Sequence, residues 1–155
     1  MTKTLYLRTL ISVIILSGIT IGCTETTQIS FFCDIDSKNN YIVKWEVFPE
    51  KKDQVNIEIF RSNNDSVFPK DPSLTVPVNN FICAISPDKN TFREYFRLRI
   101  DKSYSGIITN RFFNTKSIYN LRDIGGYFTQ NNEQVKWGKI YRSGDIATPS
   151  PEDNK

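Results

Sequence analysis

Tyr41-Ile42-Val43-Lys44-Trp45-Glu46-Val47 carries an apolar phase of two, Tyr41, Val43, Trp45 and Val47 on one side with Lys44 and Glu46 opposite. Successive side chains of an extended chain point to opposite faces, so this spacing predicts a strand with one buried face. The pattern recurs at Ile29, Phe31, Cys33 and Ile35, at Val55, Ile57 and Ile59, and at Phe81, Cys83 and Ile85. It returns at Phe96, Leu98 and Ile100, which alternate with Arg97 and Arg99, and Gly106-Ile107-Ile108-Thr109 starts a last strand. Turn chemistry bounds the runs at Ser37-Lys38-Asn39-Asn40, Pro49 to Asp53, Ser62 to Asp65 and Pro87-Asp88-Lys89-Asn90. Strands at this spacing, without a helical period, predict a mainly β chain folded as an antiparallel β-sandwich. An aromatic content of 13% favours sheet in the same direction.

Trp45 in an early strand and Tyr95 in a late one resemble fibronectin-III or immunoglobulin-like domains, which places the sandwich over residues 31–115. Inside it no active-site constellation stands out. Asp34, Asp36, Asp65, Asp71 and Asp88 read as solvated turn residues. The sequence has no histidine, and two isolated cysteines do not make a metal site, so neither metal nor cofactor is expected. Cys33 and Cys83 share the inward phase and either form a disulfide or pack as small apolar residues. Arg93, Arg97 and Arg99 form a ladder that either meets an anionic ligand or is a solvated sheet face.

Residues 1–22 look like an export signal, with Lys3 and Arg8 ahead of Leu10-Ile11-Ser12-Val13-Ile14-Ile15-Leu16. Thr20-Ile21-Gly22-Cys23 is similar to a bacterial lipoprotein box, Thr20 departing from its usual Leu; a plain signal peptide or an uncleaved anchor is the alternative. Lipidated at Cys23, the protein would be held on a membrane of the bacterial envelope, each buried methylene contributing roughly 0.8 kcal/mol, with residues 23–30 as anchor and tether. The formal charge of +3 falls to +1 once Lys3 and Arg8 are removed. That is no polyanion-binding surface, and nucleic acid is not an expected partner.

Past Thr115 the composition shifts, and Lys116-Ser117-Ile118-Tyr119 looks like a joint into residues 116–155. Asn120-Leu121-Arg122-Asp123-Ile124-Gly125-Gly126-Tyr127 follows, then Phe128-Thr129, a polar turn at Gln130-Asn131-Asn132, and Val135-Lys136-Trp137-Gly138-Lys139-Ile140-Tyr141-Arg142-Ser143-Gly144. A Gly-Gly pair allows positive φ or close backbone approach. Arg122 and Asp123 can pair and satisfy turn carbonyls and amides. The segments around the Asn-rich turn read as a hairpin. Taken alone, this is an ordinary Gly-Gly loop before a hairpin. Ser150 with Pro151 reads as the cap of a helix.

In order and density, residues 120–144 resemble the opening of the bacterial tyrosine-phosphatase family, whose members begin Asn-Phe-Arg-Asp-Leu-Gly-Gly-Tyr and continue Val-Lys/Arg-x-Gly-x-Leu-Tyr-Arg-Ser-Gly. Leu121 stands for the usual Phe and Ile124 for the usual Leu. The resemblance implies hydrolysis of phosphotyrosine or another phosphomonoester through a cysteinyl-phosphate intermediate, without a metal. It implies active-site support from Asn120, Arg122, Asp123, Gly125, Gly126, Tyr141, Arg142 and Ser143.

The family's nucleophile sits in a His-Cys-x5-Arg loop whose amides and Arg hold the phosphate and lower the thiol pKa. Six residues beyond Cys23, Cys33 and Cys83 stand Ile29, Asn39 and Lys89, so no cysteine here fits, and no catalytic residue is expected within residues 1–155. A truncated α/β phosphatase domain after the sandwich is therefore expected, its first strands forming residues 116–155. The alternative is a non-enzymatic surface lipoprotein with a β-sandwich binding module.

Overall fold

The computed structural model describes residues 26–51, 55–89, 91–113, 115–146, 148 and 150–151. The expected leader and the expected lipidation site Cys23 lie outside them, as do the residues that would follow the cap expected at Ser150 and Pro151. The chain is mainly β, in antiparallel sheets. Strands β1 (Gln28–Ile35), β2 (Tyr41–Phe48) and β5 (Ile82–Ile85) form one sheet in the order β1-β2-β5. Strands β4 (Leu74–Pro77), β3 (Asn56–Ser62), β6 (Tyr95–Ile100) and β7 (Ser103–Tyr104) form the second, in that order. Strands β8 (Arg122–Asp123) and β9 (Tyr141–Arg142) pair separately.

The two larger sheets face each other across a core supplied by the predicted phases. Val43 and Trp45 of β2, Ile57 and Ile59 of β3, and Phe96, Leu98 and Ile100 of β6 are all buried there. Tyr41 meets Phe96 edge to face at 5.0 Å, and its hydroxyl accepts the Glu94 amide at 3.0 Å. The Trp45 indole donates to the Val78 carbonyl at 2.8 Å, so the largest core ring carries no unsatisfied N–H. The β1–β2 turn is held by Asp36, whose carboxylate accepts from the amides of Lys38 and Asn40 and from the Asn40 side chain, while Asn39 takes φ 65°. Those bonds, led by the Asn40 side chain, hold the Asp36 carboxyl below its ordinary pKa.

Several expectations are corrected. The tether assigned to residues 23–30 is partly strand, because Gln28 to Ser30 pair with Phe48 to Glu46. Phe81 does not continue the inward phase of Cys83 and Ile85: it caps a 3-10 turn, Val78–Asn80, at φ 59° and is exposed. Tyr95 does stand in a late strand, half-buried at the head of β6, while Tyr41 is buried in the core. β4 had no signal in the alternation, since Pro72 and Pro77 bracket a short edge strand. Cys33 and Cys83 are both free thiols. Each is paired in register with Val43, so β2 lies between them. Two strand spacings put their Cα atoms roughly 9–10 Å apart, beyond the ~7 Å a disulfide spans. Burial pushes the Cys33 thiol up to about 12, with Asp34 adding to the effect.

The strand expected at Gly106 is not formed as such: β7 ends at Tyr104, and past a bulge Ile108 alone bridges back to β6. Ser105 N–H bonds to Leu98 O at 2.8 Å, and the next ladder bonds join Phe96 to Ile108 at 2.7 and 2.9 Å. Two steps along β6 thus face three along its neighbour. Ile107 is the residue released, and its N–H and C=O leave the ladder.

Truncation of Leu98 to Ala leaves a cavity between the two sheets and costs about 2–5 kcal/mol. Phe81→Ala, at an exposed ring, costs less than about 1 kcal/mol. The midpoints of urea unfolding check the contrast.

Candidate functional site

The segment from Arg111 onward is built on the sandwich by polar contacts. Asp123 N–H bonds to Arg111 O at 2.9 Å and Phe113 N–H to Leu121 O at 3.0 Å, so residues 111–113 run beside 121–123. On the other side Asp123 stands in register with Tyr141 and Arg122 with Arg142. The predicted hairpin is present in short form: Phe128 bridges Gln134, Thr129 N–H bonds to Glu133 O, and Asn132 supplies the left-handed residue at φ 60°.

Asp123 is fully buried at the centre of this arrangement. Its Oδ1 accepts the Gly125 amide at 2.8 Å, and its Oδ2 accepts the Gly138 amide at 2.7 Å and Arg93 Nη1 at 2.6 Å. A buried carboxylate needs this kind of saturation by charged and backbone donors. Arg93 is buried in turn, giving Nη2 to Asn110 O at 2.6 Å and Nε to Thr109 Oγ1 at 3.2 Å. Its guanidinium lies within 5.2–5.6 Å of the ring centroids of Tyr95, Phe113 and Trp137. Burial of the Tyr95 ring pushes its hydroxyl pKa up.

The glycines are fixed by Trp137. A Cβ on Gly125 would come within 2.6 Å of Trp137 Cα, and one on Gly126 would enter the Trp137 ring. Gly126 also takes φ 78°, so side chains are excluded there twice over. The Trp137 indole donates to Ile107 O at 2.9 Å. The Gln134 side chain accepts Ile107 N–H at 2.8 Å and returns a donor to Ile107 O at 2.7 Å. The bulged residue of the sandwich is thus taken up by Gln134 and Trp137. Arg111 lies between Tyr127 and Trp137, at 3.9 and 4.8 Å from their centroids, and bonds to Gly125 O at 2.6 Å.

Asp123, Gly125 and Gly126 therefore form one buried knot. Arg122 does not pair with Asp123 as expected; Arg93 takes that place, and Arg122 leans on Phe112 at 5.4 Å with its Nε buried and unpartnered. Arg122 and Arg142 face each other as like charges, with no ion pair to either among the described residues. Asn120 turns the chain at φ 58° and is exposed, as are Arg142 and Ser143. Tyr141 is half exposed with its ring 5.7 Å from Phe113. Beside it opens a cavity of about 500 Å³ between the Asp65-Ser66 loop and the turn Lys136–Lys139, bordered by Phe92 and Tyr95. Cys33 and Cys83 lie within the sandwich sheet and take no part in this cavity.

Arg93 shares odd numbering with Arg97 and Arg99 but precedes β6, so the strand phase does not govern it. Gln134 and Arg111 gave no sequence signal, since their partners are backbone atoms.

This is a mainly β, two-sheet fold closed by a compact Gly-Gly knot. Residues 113–155, the stretch that contains the knot, match the model of the tyrosine phosphatase family. No curated protein and no solved structure matches the chain.

Asp123→Asn leaves the Arg93 charge buried and unpaired. It lowers stability by about 3–5 kcal/mol, read from urea unfolding followed by the fluorescence of Trp137 and Trp45.

Proposed function

We propose that the protein is the amino-terminal part of an exported, lipid-anchored tyrosine phosphatase that hydrolyses phosphotyrosine or a related phosphomonoester. The thiolate nucleophile is supplied outside residues 1–155, because none of the three cysteines here has an Arg six positions on. The observation that carries this reading is the knot itself: both oxygens of the Asp123 carboxylate are engaged, one holding the Gly125 amide and the other the Gly138 amide and Arg93, within the stretch that the family match covers. Such a turn is costly scaffolding for a surface loop and apt for the floor of a site. Arg122 and Arg142, opposed without a carboxylate, supply the positive potential that suits a phosphate dianion. Tyr141 and Ser143 frame the same edge, and Asn120 sets the approach of β8. The sheet order, with β4 beside β3, supports a fibronectin-III-like reading of the sandwich.

Catalysis by this route needs no metal: the attacking thiolate and the loop amides carry the phosphoryl group between them. The expected result is that the 155-residue chain does not turn over p-nitrophenyl phosphate. The same polypeptide continued through a Cys-x5-Arg loop does, and loses the activity when that cysteine becomes Ser. Turnover by the 155-residue chain that survives Cys→Ser at positions 23, 33 and 83 would overturn the cysteine mechanism.

Export and anchoring rest on residues 1–22 and Cys23. Expressed in a bacterium fed an alkyne fatty acid, the protein takes up label in the membrane fraction, and Cys23→Ala abolishes both label and membrane association. Label that persists in the variant overturns the anchor.

A further inference from the structure

The outer face of the second sheet carries an arginine with no acceptor. Arg61 is paired with Glu94, Arg93 with Asp123 and Arg99 with Glu58. Arg97 is half-buried, its side chain has no ion pair or hydrogen bond among the described residues, and its Nε is fully covered without a partner. A guanidinium held this way gives up hydration without a protein acceptor in return.

It is also held still. Arg97 lies 4.4 Å from the Tyr104 ring centroid, and Arg99 lies 5.5 Å from the same ring. Arg99 donates to the Tyr104 hydroxyl at 2.8 Å while Glu58 grips its other side. The carboxyl of Glu58 is held below its ordinary pKa by that bond. Phe60, in direct register with Arg97, is buried beneath Tyr104.

Arg97 and Tyr104 line a cavity of about 330 Å³ whose other walls are Phe60, Ser66, Phe68, Pro69 and Lys70. Two cations line it and no carboxylate does. Lys70 has no ion pair among the described residues. The volume suits a single six-membered ring, and Phe68 and Pro69 offer apolar surface for its face.

We infer that this cavity is a binding site for a small ligand bearing an oxyanion on a ring, with Arg97 gripping the oxyanion and Lys70 adding charge at the rim. A planar fork already fixed by Tyr104 loses little freedom on binding. The ring comes from an aryl phosphate or from an acidic sugar, two sources of one chemistry. The site lies wholly on the sandwich and does not depend on the phosphatase reading of the tail.

Titrations of the purified protein with phenyl phosphate, with glucuronate and with inorganic phosphate, followed by amide ¹H–¹⁵N shifts, test this. The expected result is saturating shifts for one or both ring-bearing probes, centred on Phe68, Lys70, Arg97 and Tyr104. The probe that saturates identifies the source. Arg97→Gln weakens that binding at least about ten-fold, and Arg97→Lys weakens it too because a point charge cannot replace the fork. Lys70→Gln, at an exposed position, weakens it roughly three-fold. Absence of saturation by both ring probes overturns the inference, as do shifts centred on Lys136 to Tyr141. Inorganic phosphate binding as tightly as either ring probe, or unchanged affinity in folded Arg97→Gln, overturns it as well.

Discussion

The tail of this protein depends on one buried ion pair, Arg93 with Asp123. Both residues are taken out of water, at 7% and 0% exposure, and neither tolerates that without the other. Asp123 belongs to the Gly-Gly segment and Arg93 to the sandwich, so the pair is also the joint between them. Each carries further bonds into its own side, Asp123 to the amides of Gly125 and Gly138 and Arg93 to Thr109 and Asn110. A slip of the tail along the sandwich would leave a buried charge without its partner and break most of these contacts together. Geometry follows from the cost of the alternative more than from the strength of the attraction.

The second constraint is the bulge at the end of the sandwich. Had Gly106 to Thr109 run as a regular strand beside β6, Ile107 would have spent its backbone groups in the ladder. The extra residue releases them, and Gln134 fills both with one primary amide. A side-chain amide thereby stands in for a neighbouring strand. Trp137 adds its indole N–H to the same carbonyl and lays its ring where Gly125 and Gly126 leave room. The two glycines and the tryptophan are thus a single fitting, although Trp137 stands eleven positions beyond Gly126 in sequence.

The strands with strict alternation were legible because burial on one face leaves a period of two, as at Tyr41 to Val47 and Phe96 to Ile100. Phe81 kept that period yet faces solvent, because a 3-10 turn next to it rotates the chain and a phase count cannot see a turn. β4 was illegible since an edge strand between prolines buries too little to enforce a pattern. In the tail, Gly125, Gly126 and Asp123, three of the residues singled out in the sequence, do converge. Their partner was misassigned: the neighbour Arg122 looked nearest in sequence, while the fold brings Arg93 from thirty positions away. The cysteine pair shows the same limit. Equal inward phase puts Cys33 and Cys83 on one face, but only the pairing order shows that β2 stands between them.

The two sides of the tail differ in kind. Toward the sandwich it presents Asp123, Gln134 and the Trp137 indole, which bond in fixed directions. Its large apolar side chains at Tyr119, Tyr127, Ile140 and Ile146 are each more than half exposed. Among the described large apolar side chains of this segment, Trp137 alone is buried. About thirty-five residues cannot enclose a core of their own, so a segment of this length has its position set by whatever it adheres to. Directional polar bonds specify one register, whereas apolar contact accepts many. Placing the polar set against the sandwich fixes where the tail sits and leaves its apolar set exposed. On the phosphatase reading, that is the surface on which the remaining core of such a domain would close.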